Sequence, residues 1–217
     1  MNEPEYYSYC RHEIVAAVPS NGTRILSVGC GFGLTEEVLA LQGREVWGIE
    51  RERDAATQAR SRLSHVICAD AETAFAECPK AHFDCLIMAD ILEHLADPWS
   101  ALTQYRSTLR EGGTLIVSLP NVRFVGVVIP LILGGRWNYA QSGVLDRTHL
   151  RFFTRKTAIN LVRDAGFSDI KVWPRIRTSP YFNRAAAFVQ RSYYSLPILQ
   201  SFLAKQFIIR AELHSSM

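Results

Sequence analysis

Residues 24–43 read RILSVGCGFGLTEEVLALQG, and this stretch decides the fold. A short run of strand character ends at Gly29, and Gly29, Gly31 and Gly33 then lead straight into a helical pattern. Glycines at a strand end let the backbone turn sharply and let a ligand approach it, while the helix start beyond them offers unpaired N–H groups. Thr35 is expected to cap the helix, with Glu36 and Glu37 in its first turn and Gly43 as its stop. Glycines also end strands for purely structural reasons, so the weight falls on the strands downstream.

Outward from the loop, the runs EVWGI (45–49), HVICA (65–69), FDCLIM (83–88) and TLIVSL (114–119) alternate with helical patterns. That rhythm belongs to a parallel sheet wrapped by helices. The best marked helix starts at Asp97 as cap and Pro98 in the first turn, places Trp99, Leu102, Arg106 and Leu109 on one face, and ends at Gly112-Gly113. After the fifth strand the rhythm breaks. Residues 120–153 form a long connection holding RFVGVVIPLILGGRW (123–137) and most of SGVLDRTHLRFFT (142–154), and connections of that length in compact domains act as lids or binding elements. Thr154 then caps a helix with Ala158, Leu161, Val162 and Ala165 on one side and Gly166 at its end. DIKVWP (169–174) reads as a strand, AAAFVQRSYYSLPILQSFLA (185–204) as a helical excursion, and KQFIIRAEL (205–213) as a returning strand. The expected architecture is a Rossmann-like α/β fold: a seven-stranded, mostly parallel sheet with helices on both faces, an antiparallel last strand and a lid insertion after the fifth strand. We read one domain, with 1–23 as a helical cover, 24–119 as the core, 120–153 as the insertion and 154–217 as a helix-strand part.

Composition narrows the classes. At 217 residues and 48% hydrophobic content the chain can bury a sizeable core. Its charge of +3, from 24 basic and 21 acidic residues, is too balanced to imply a nucleic-acid partner. Five cysteines, an odd count without a CxxC pair, point to a reducing compartment, and MNEPEYYSYCRHE shows no apolar signal core, so a cytoplasmic protein is expected. The apolar run has about a dozen uninterrupted positions against roughly 20 for a transmembrane span, which excludes a span there. A buried helix is the expected reading, with peripheral membrane contact or cover for a greasy substrate as the alternative.

Polar residues gather at successive strand ends. Glu50 lies 17 residues after Gly33, close to the spacing at which an acid accepts from ribose hydroxyls. Asp70 and Ala71 end the third strand, where a carboxylate can accept from an exocyclic amine, and MADILEHL brings Ala89, Asp90, Glu93 and His94 to the same edge. Together, Gly-x-Gly-x-Gly, the acid after the second strand, AD after the third, DILEHLADP after the fourth and LREGGTLIVSLPN through the fifth resemble the class I S-adenosylmethionine-dependent methyltransferases. The resemblance covers roughly residues 24–174. LPN followed by an apolar stretch and DRTHLRFFT is similar to the branch modifying sugars, polysaccharide precursors or small metabolites, related to quinone-pathway O-methyltransferases.

The resemblance implies S-adenosyl-L-methionine as cofactor. Gly29, Cys30, Gly31 and Gly33 would approach its methionine part and ribose, Glu50 would hold the ribose hydroxyls, Arg51 would flank the adenine, Asp70 with Ala71 would bind its amine, and Ala89 would lie near the sulfonium. The family carries an acid two residues before the first glycine, where this chain has Ser27. Tyr7 and Arg11 are candidates for the cofactor carboxylate.

Methyl transfer from a sulfonium gains from holding acceptor and methyl in line, and an oxygen acceptor gains from a base. His149, oriented by Asp146, is the first candidate, and His94 the second; His12, His65, His82 and His214 read as ordinary residues. The alternative for the first pair is an ion network of Asp146, Arg147 and Arg151, with Phe152 and Phe153 as core plugs; for His94 it is a ring bonded to backbone that helps close the loop. The resemblance also links Asp90, Glu93 and His94 to a divalent cation, a donor set suited to a hard or borderline ion. The expected acceptor is a small molecule or glycan precursor, methylated on oxygen. Selectivity is expected in the lid and termini, which offer the aromatics Trp137, Tyr139, Tyr181 and Phe182; Arg175 and Arg177 read as solvated surface residues, with contact to a phosphate or carboxylate of the acceptor as the alternative. Two rivals stay open: a nicotinamide-dependent oxidoreductase, disfavoured by the missing Gly-x-Gly-x-x-Gly and second nucleotide half, and a non-catalytic relative binding a partner through 124–137.

Overall fold

The computed structural model describes residues 9–175 and 197–214. The sheet has seven strands: β1 (Arg24–Val28), β2 (Glu45–Ile49), β3 (His65–Ile67), β4 (Phe83–Ala89), β5 (Leu109–Pro120), β6 (Phe167–Arg175) and β7 (Gln206–Leu213). Their order is β3-β2-β1-β4-β5-β7-β6, with β7 antiparallel to both neighbours and the remaining pairs parallel. Chain order reverses between β1 and β4, which opens a crevice at the carboxyl ends of these strands. β4 is buried along nearly its whole length, as a strand covered on both faces must be.

The helices are α1 (His12–Ala17), α2 (Leu34–Ala40), α3 (Arg53–Ala59), α4 (Pro98–Arg106), α5 (Val125–Gly134), α6 (Arg155–Asp164) and α7 (Pro197–Leu203). Two buried clusters flank the sheet. One joins Leu26, Leu86, Leu102, Tyr105, Leu161 and Ile209; the other joins Ile14, Ile25, Leu39, Ala59, Ile87 and Ile116. Neighbouring residues such as Leu26 and Ile25, or Leu86 and Ile87, fall into opposite clusters because strand side chains alternate faces. No helix among the described residues is long and apolar enough to cross a membrane.

Several local expectations are corrected. Gly33, in the left-handed region at φ 77°, is the N-cap of α2, not Thr35. Thr35 lies inside the helix, and its Oγ1 accepts the Arg11 backbone N–H at 3.0 Å. Asp97 does cap α4, accepting from the Ser100 N–H at 3.0 Å, but the helix ends at Arg106. Leu109 already pairs with Phe83, and the ladder resumes at Cys85–Thr114. The two glycines therefore sit in a bulged strand rather than at a helix end, with Gly112 at φ 68°. The buried face of α4 is Pro98, Ala101, Leu102 and Tyr105, while Trp99 is half exposed. α6 follows expectation: Thr154 and Thr157 form a reciprocal capping box, and Ala158, Leu161 and Val162 are buried.

The expected buried helix in the insertion is also corrected. α5 buries Val127, yet Ile132 is 74% and Leu133 81% exposed. The helix is apolar on every side, so burial of Val127 against the body leaves much of its apolar surface uncovered. Both ends of the insertion are pinned together. Asn121 is fully buried, its Nδ2 donates to the Ser201 and Ala204 carbonyls at 2.7 Å each, and the Val122 N–H donates to the Phe153 carbonyl at 2.9 Å. The LPN motif is thus the staple that closes the base of the loop. Phe153 is buried in the first cluster, whereas Phe152 is half-buried against Trp137, its ring edge-on at 5.4 Å.

Candidate active site

A cavity of about 700 Å³ opens at the carboxyl ends of β1, β2, β3 and β4, within the size range of ligand pockets. The glycine loop forms its floor. Gly29, Gly31 and Gly33 hold φ values of 75°, 55° and 77°, a region that strains any residue with a side chain. A Cβ on Gly29 would come within 3.1 Å of Ile91, and one on Gly48 would lie 2.6 Å from the Cys30 sulfur. A bare backbone at Gly48 is what lets Cys30 bury itself and pull the loop onto β2.

Glu50 is buried at the end of β2, and its carboxylate accepts from the Gly31 N–H at 2.9 Å and the Glu52 N–H at 2.9 Å. A carboxylate held by two backbone donors keeps lone pairs for a diol. Asp70 accepts from the Glu72 N–H at 2.8 Å and borders the cavity, with Ala71 and Arg51 beside it. Ala71 is fixed through its carbonyl, which accepts the Tyr105 hydroxyl at 2.8 Å. Ala89 ends β4 on the same rim.

Arg11 reaches the cavity wall, but its donors already have protein partners. Nε donates to Glu13 at 2.6 Å, Nη1 to the Asp90 carboxylate, and Nη2 to Ser118 at 3.2 Å and Gln206 at 3.3 Å. Asp90 is a hub, also accepting from Ser118 Oγ at 2.6 Å and from Gln206 Nε2. It sits at φ 56°, a conformation L residues seldom adopt, at the point where β4 meets the cavity. Tyr7, Arg177, Tyr181 and Phe182 lie outside the described residues.

The insertion returns to the rim because the Glu93 carbonyl accepts the backbone N–H groups of Leu150 and Arg151, at 2.8 and 3.0 Å. This places Asp146, Arg147, Thr148 and Leu150 along one wall, with His94 adjoining. The expected bond between Asp146 and the His149 ring does not form. Asp146 Oδ1 instead accepts from the Thr148 N–H at 2.8 Å and the Thr148 hydroxyl at 2.7 Å, because an aspartate bonds readily to the backbone two residues on. His149 Nδ1 lies 3.1 Å from the Val144 carbonyl, and its ring packs edge-on against His94 at 4.8 Å. His149 stands behind the wall, 9% exposed.

Thr148, which carried no signal of its own in the sequence, connects the two candidates. Its hydroxyl donates to Asp146, so its lone pairs face His94 Nδ1 at 3.2 Å, and the Thr148 carbonyl lies 3.3 Å from the same nitrogen. Two acceptors around Nδ1 require that nitrogen to carry the proton, which leaves Nε2 with the lone pair. Burial, then the neighbouring His149, hold the His94 pKa below its ordinary value, so the ring is neutral near neutrality.

For a cation, the structure gathers a set different from the expected one. Asp90 is committed to Arg11, Ser118 and Gln206. The donor atoms of Glu93, His94 and His149 instead lie within 4.8 Å of one another. Glu93 is 1% exposed and its Oε2 has no hydrogen-bond partner. Burial, then Asp90, raise its pKa well above the usual carboxylate range.

The chain matches the family described as Methyltransferase domain over residues 3–172. Among curated relatives it is 30% identical over 164 residues to the Ubiquinone biosynthesis O-methyltransferase of Cereibacter sphaeroides, covering 73% of this chain and 65% of that protein. The match thus spans slightly less than two thirds of that relative's length. Among solved structures, a SAM-dependent methyltransferase from Archaeoglobus fulgidus superposes with a TM-score of 0.66 at 18% identity, covering 97% of this chain and 94% of that one. The Haemonchus contortus phosphoethanolamine N-methyltransferase 2 in complex with S-adenosyl-L-methionine shares the fold at a TM-score of 0.62 and 15% identity, over 94% of this chain and 53% of that one. With a glycine loop, a buried acid after β2 and a rim acid after β3 around one cavity, the chain belongs to the class I S-adenosylmethionine-dependent methyltransferases, enzymes that use S-adenosyl-L-methionine as methyl donor.

Proposed function

We propose that this chain methylates an oxygen of a small molecule or glycan precursor, with His94 as the base. The observation carrying the reading is the Asp146–Thr148–His94 hydrogen-bond chain on the cavity wall, at 2.7 and 3.2 Å. It fixes one tautomer of a neutral imidazole beside the end of β4, the strand that also presents Ala89. Bound S-adenosylmethionine supplies an electrophilic methyl group on a sulfonium. In the step, an acceptor oxygen forms the new O–C bond as the S–C bond breaks, and the hydroxyl proton passes to His94 Nε2. Asp146 stabilises the resulting imidazolium through Thr148. His149 packs behind the ring and limits its movement. The relatives named Ubiquinone biosynthesis O-methyltransferase support oxygen as the acceptor atom. On the rim, Glu50 serves the ribose and Asp70 the adenine amine, since both carboxylates keep lone pairs beyond those their backbone donors use.

The test is His94→Ala. Turnover should fall roughly 10²- to 10⁴-fold, the range for losing a general base, with S-adenosylhomocysteine affinity within about threefold of the parent. Full turnover in the variant overturns the assignment.

The Glu93, His94 and His149 cluster favours a second reading, in which these residues hold a divalent cation and the acceptor oxygen is acidified by it. A Glu93 carboxyl with its Oε2 buried and unpartnered supports this reading, since a cation would satisfy it. Activity that survives chelation and dialysis removes this reading and leaves the first untouched.

A further inference from the structure

Ser27 occupies the end of β1, two residues before Gly29, where the resembled family carries an acid. A carboxyl group nevertheless reaches that place. Glu36, in the first turn of α2, points back toward the strand, and its Oε1 accepts the Ser27 hydroxyl at 2.7 Å. The residue is 4% exposed, and its second oxygen, Oε2, is buried with no hydrogen-bond partner. Glu36 lines the same cavity as Gly29 and Gly31. A buried carboxyl oxygen without a donor is a group the folded protein carries at a cost, and it becomes favourable when a cation with N–H donors arrives.

S-adenosylmethionine brings such a cation in its α-ammonium group. We propose that Glu36 is the residue that receives this ammonium, with Ser27 positioning its carboxylate, so that a serine–glutamate pair replaces the single strand-end acid. Arg11 does not compete for the site, because its donors are held by Glu13, Asp90, Ser118 and Gln206. The titratable groups that act on Glu36 or respond to it are Glu50 at the end of β2, Cys30 in the loop and Cys10 before α1, and none of them is a cation. Burial, and then Glu50, push the Glu36 pKa up to about 7 against the lowering effect of Ser27. Cofactor binding therefore expels a proton from Glu36 at neutral pH.

The experiment is calorimetry at pH 7.5 with S-adenosylhomocysteine and with its analogue in which hydrogen replaces the α-amino group. The parent protein should prefer S-adenosylhomocysteine by about tenfold or more, the scale of one hydrogen bond between charged groups. In Glu36→Gln the two ligands should bind within about twofold of each other, with the deaminated analogue bound as in the parent. The parent affinity for S-adenosylhomocysteine should also rise roughly five- to tenfold from pH 6 to 7.5, and this rise should vanish in Glu36→Gln. An unchanged preference in Glu36→Gln, equal weakening of both ligands, or no preference in the parent overturns the proposal. Should Glu36→Gln fail to fold, Ser27→Ala carries the same comparison: a reduced preference supports the proposal, and an unchanged one overturns it.

Discussion

Glu36→Gln also has a consequence for stability that opposes its effect on binding. In the ligand-free fold, burial raises the Glu36 pKa from the ordinary 4.5 to about 7. The folded state therefore holds a proton that the unfolded chain releases between these values, and stability falls as pH rises through that window. At about 1.4 kcal/mol per pH unit over roughly 2.5 units, the full loss is about 3.5 kcal/mol, nearly all of it reached by pH 8. The substituted glutamine keeps the acceptor for the Ser27 hydroxyl but cannot ionise. Urea unfolding of both proteins at pH 5 and pH 8, without ligand, isolates the effect, because every other titrating group is common to the two. The difference in unfolding free energy between variant and parent should move in the variant's favour by about 2–3 kcal/mol from pH 5 to pH 8. A difference that stays constant across this range would mean that the carboxyl ionises as freely in the fold as outside it, and the buried, proton-holding Glu36 would have to be abandoned.

Three further outcomes rest on the geometry. Thr148→Val removes the hydroxyl between Asp146 and His94 while keeping the shape, so turnover should drop about tenfold with little change in cofactor affinity; steady-state kinetics beside calorimetry will show it, and unchanged turnover removes Thr148 from the chain. Gly48→Ala forces a Cβ to 2.6 Å from the Cys30 sulfur and 2.9 Å from Leu63, so stability should fall by about 1–3 kcal/mol in urea unfolding, and an unchanged midpoint would contradict the packing of the loop on β2. Leu133→Asp, on a side chain 81% exposed, should shift stability by less than about 0.5 kcal/mol; a loss of several kcal/mol would show that α5 is buried after all.

How far the sequence could be read depends on the range of the interactions involved. The glycine loop, the strand runs and the acids at strand ends are local patterns, and β1 and β2 fall where RILSV and EVWGI place them. The Thr154 cap was legible for the same reason, as the side chain bonds three residues ahead. The α4 boundary was not, because Leu109 is drawn into the sheet by Phe83, a partner distant in sequence. The role of Thr35 was hidden likewise, since its hydroxyl serves the backbone of Arg11 from outside the helix. In the site, adjacency pointed to Asp146 and His149 as a pair. The fold instead turns Asp146 onto Thr148 and brings His94 from the end of β4 against that threonine, a contact 54 residues apart in sequence. Ser27 read as a missing acid for the same reason: its replacement lies nine residues on, and only the return of α2 over the loop brings the two together.

Methyl transfer to oxygen is tested most directly by the product itself. The protein is incubated with S-adenosylmethionine carrying a ¹³C-labelled methyl group and a panel of phenolic, catecholic and glycan hydroxyl acceptors, and the label is followed by NMR. With His94 as base, a labelled O-methyl signal should appear in an acceptor and be lost in His94→Ala. Label found only on nitrogen or carbon, or S-adenosylhomocysteine bound tightly with no label transferred across the panel, would contradict O-methylation by this chain.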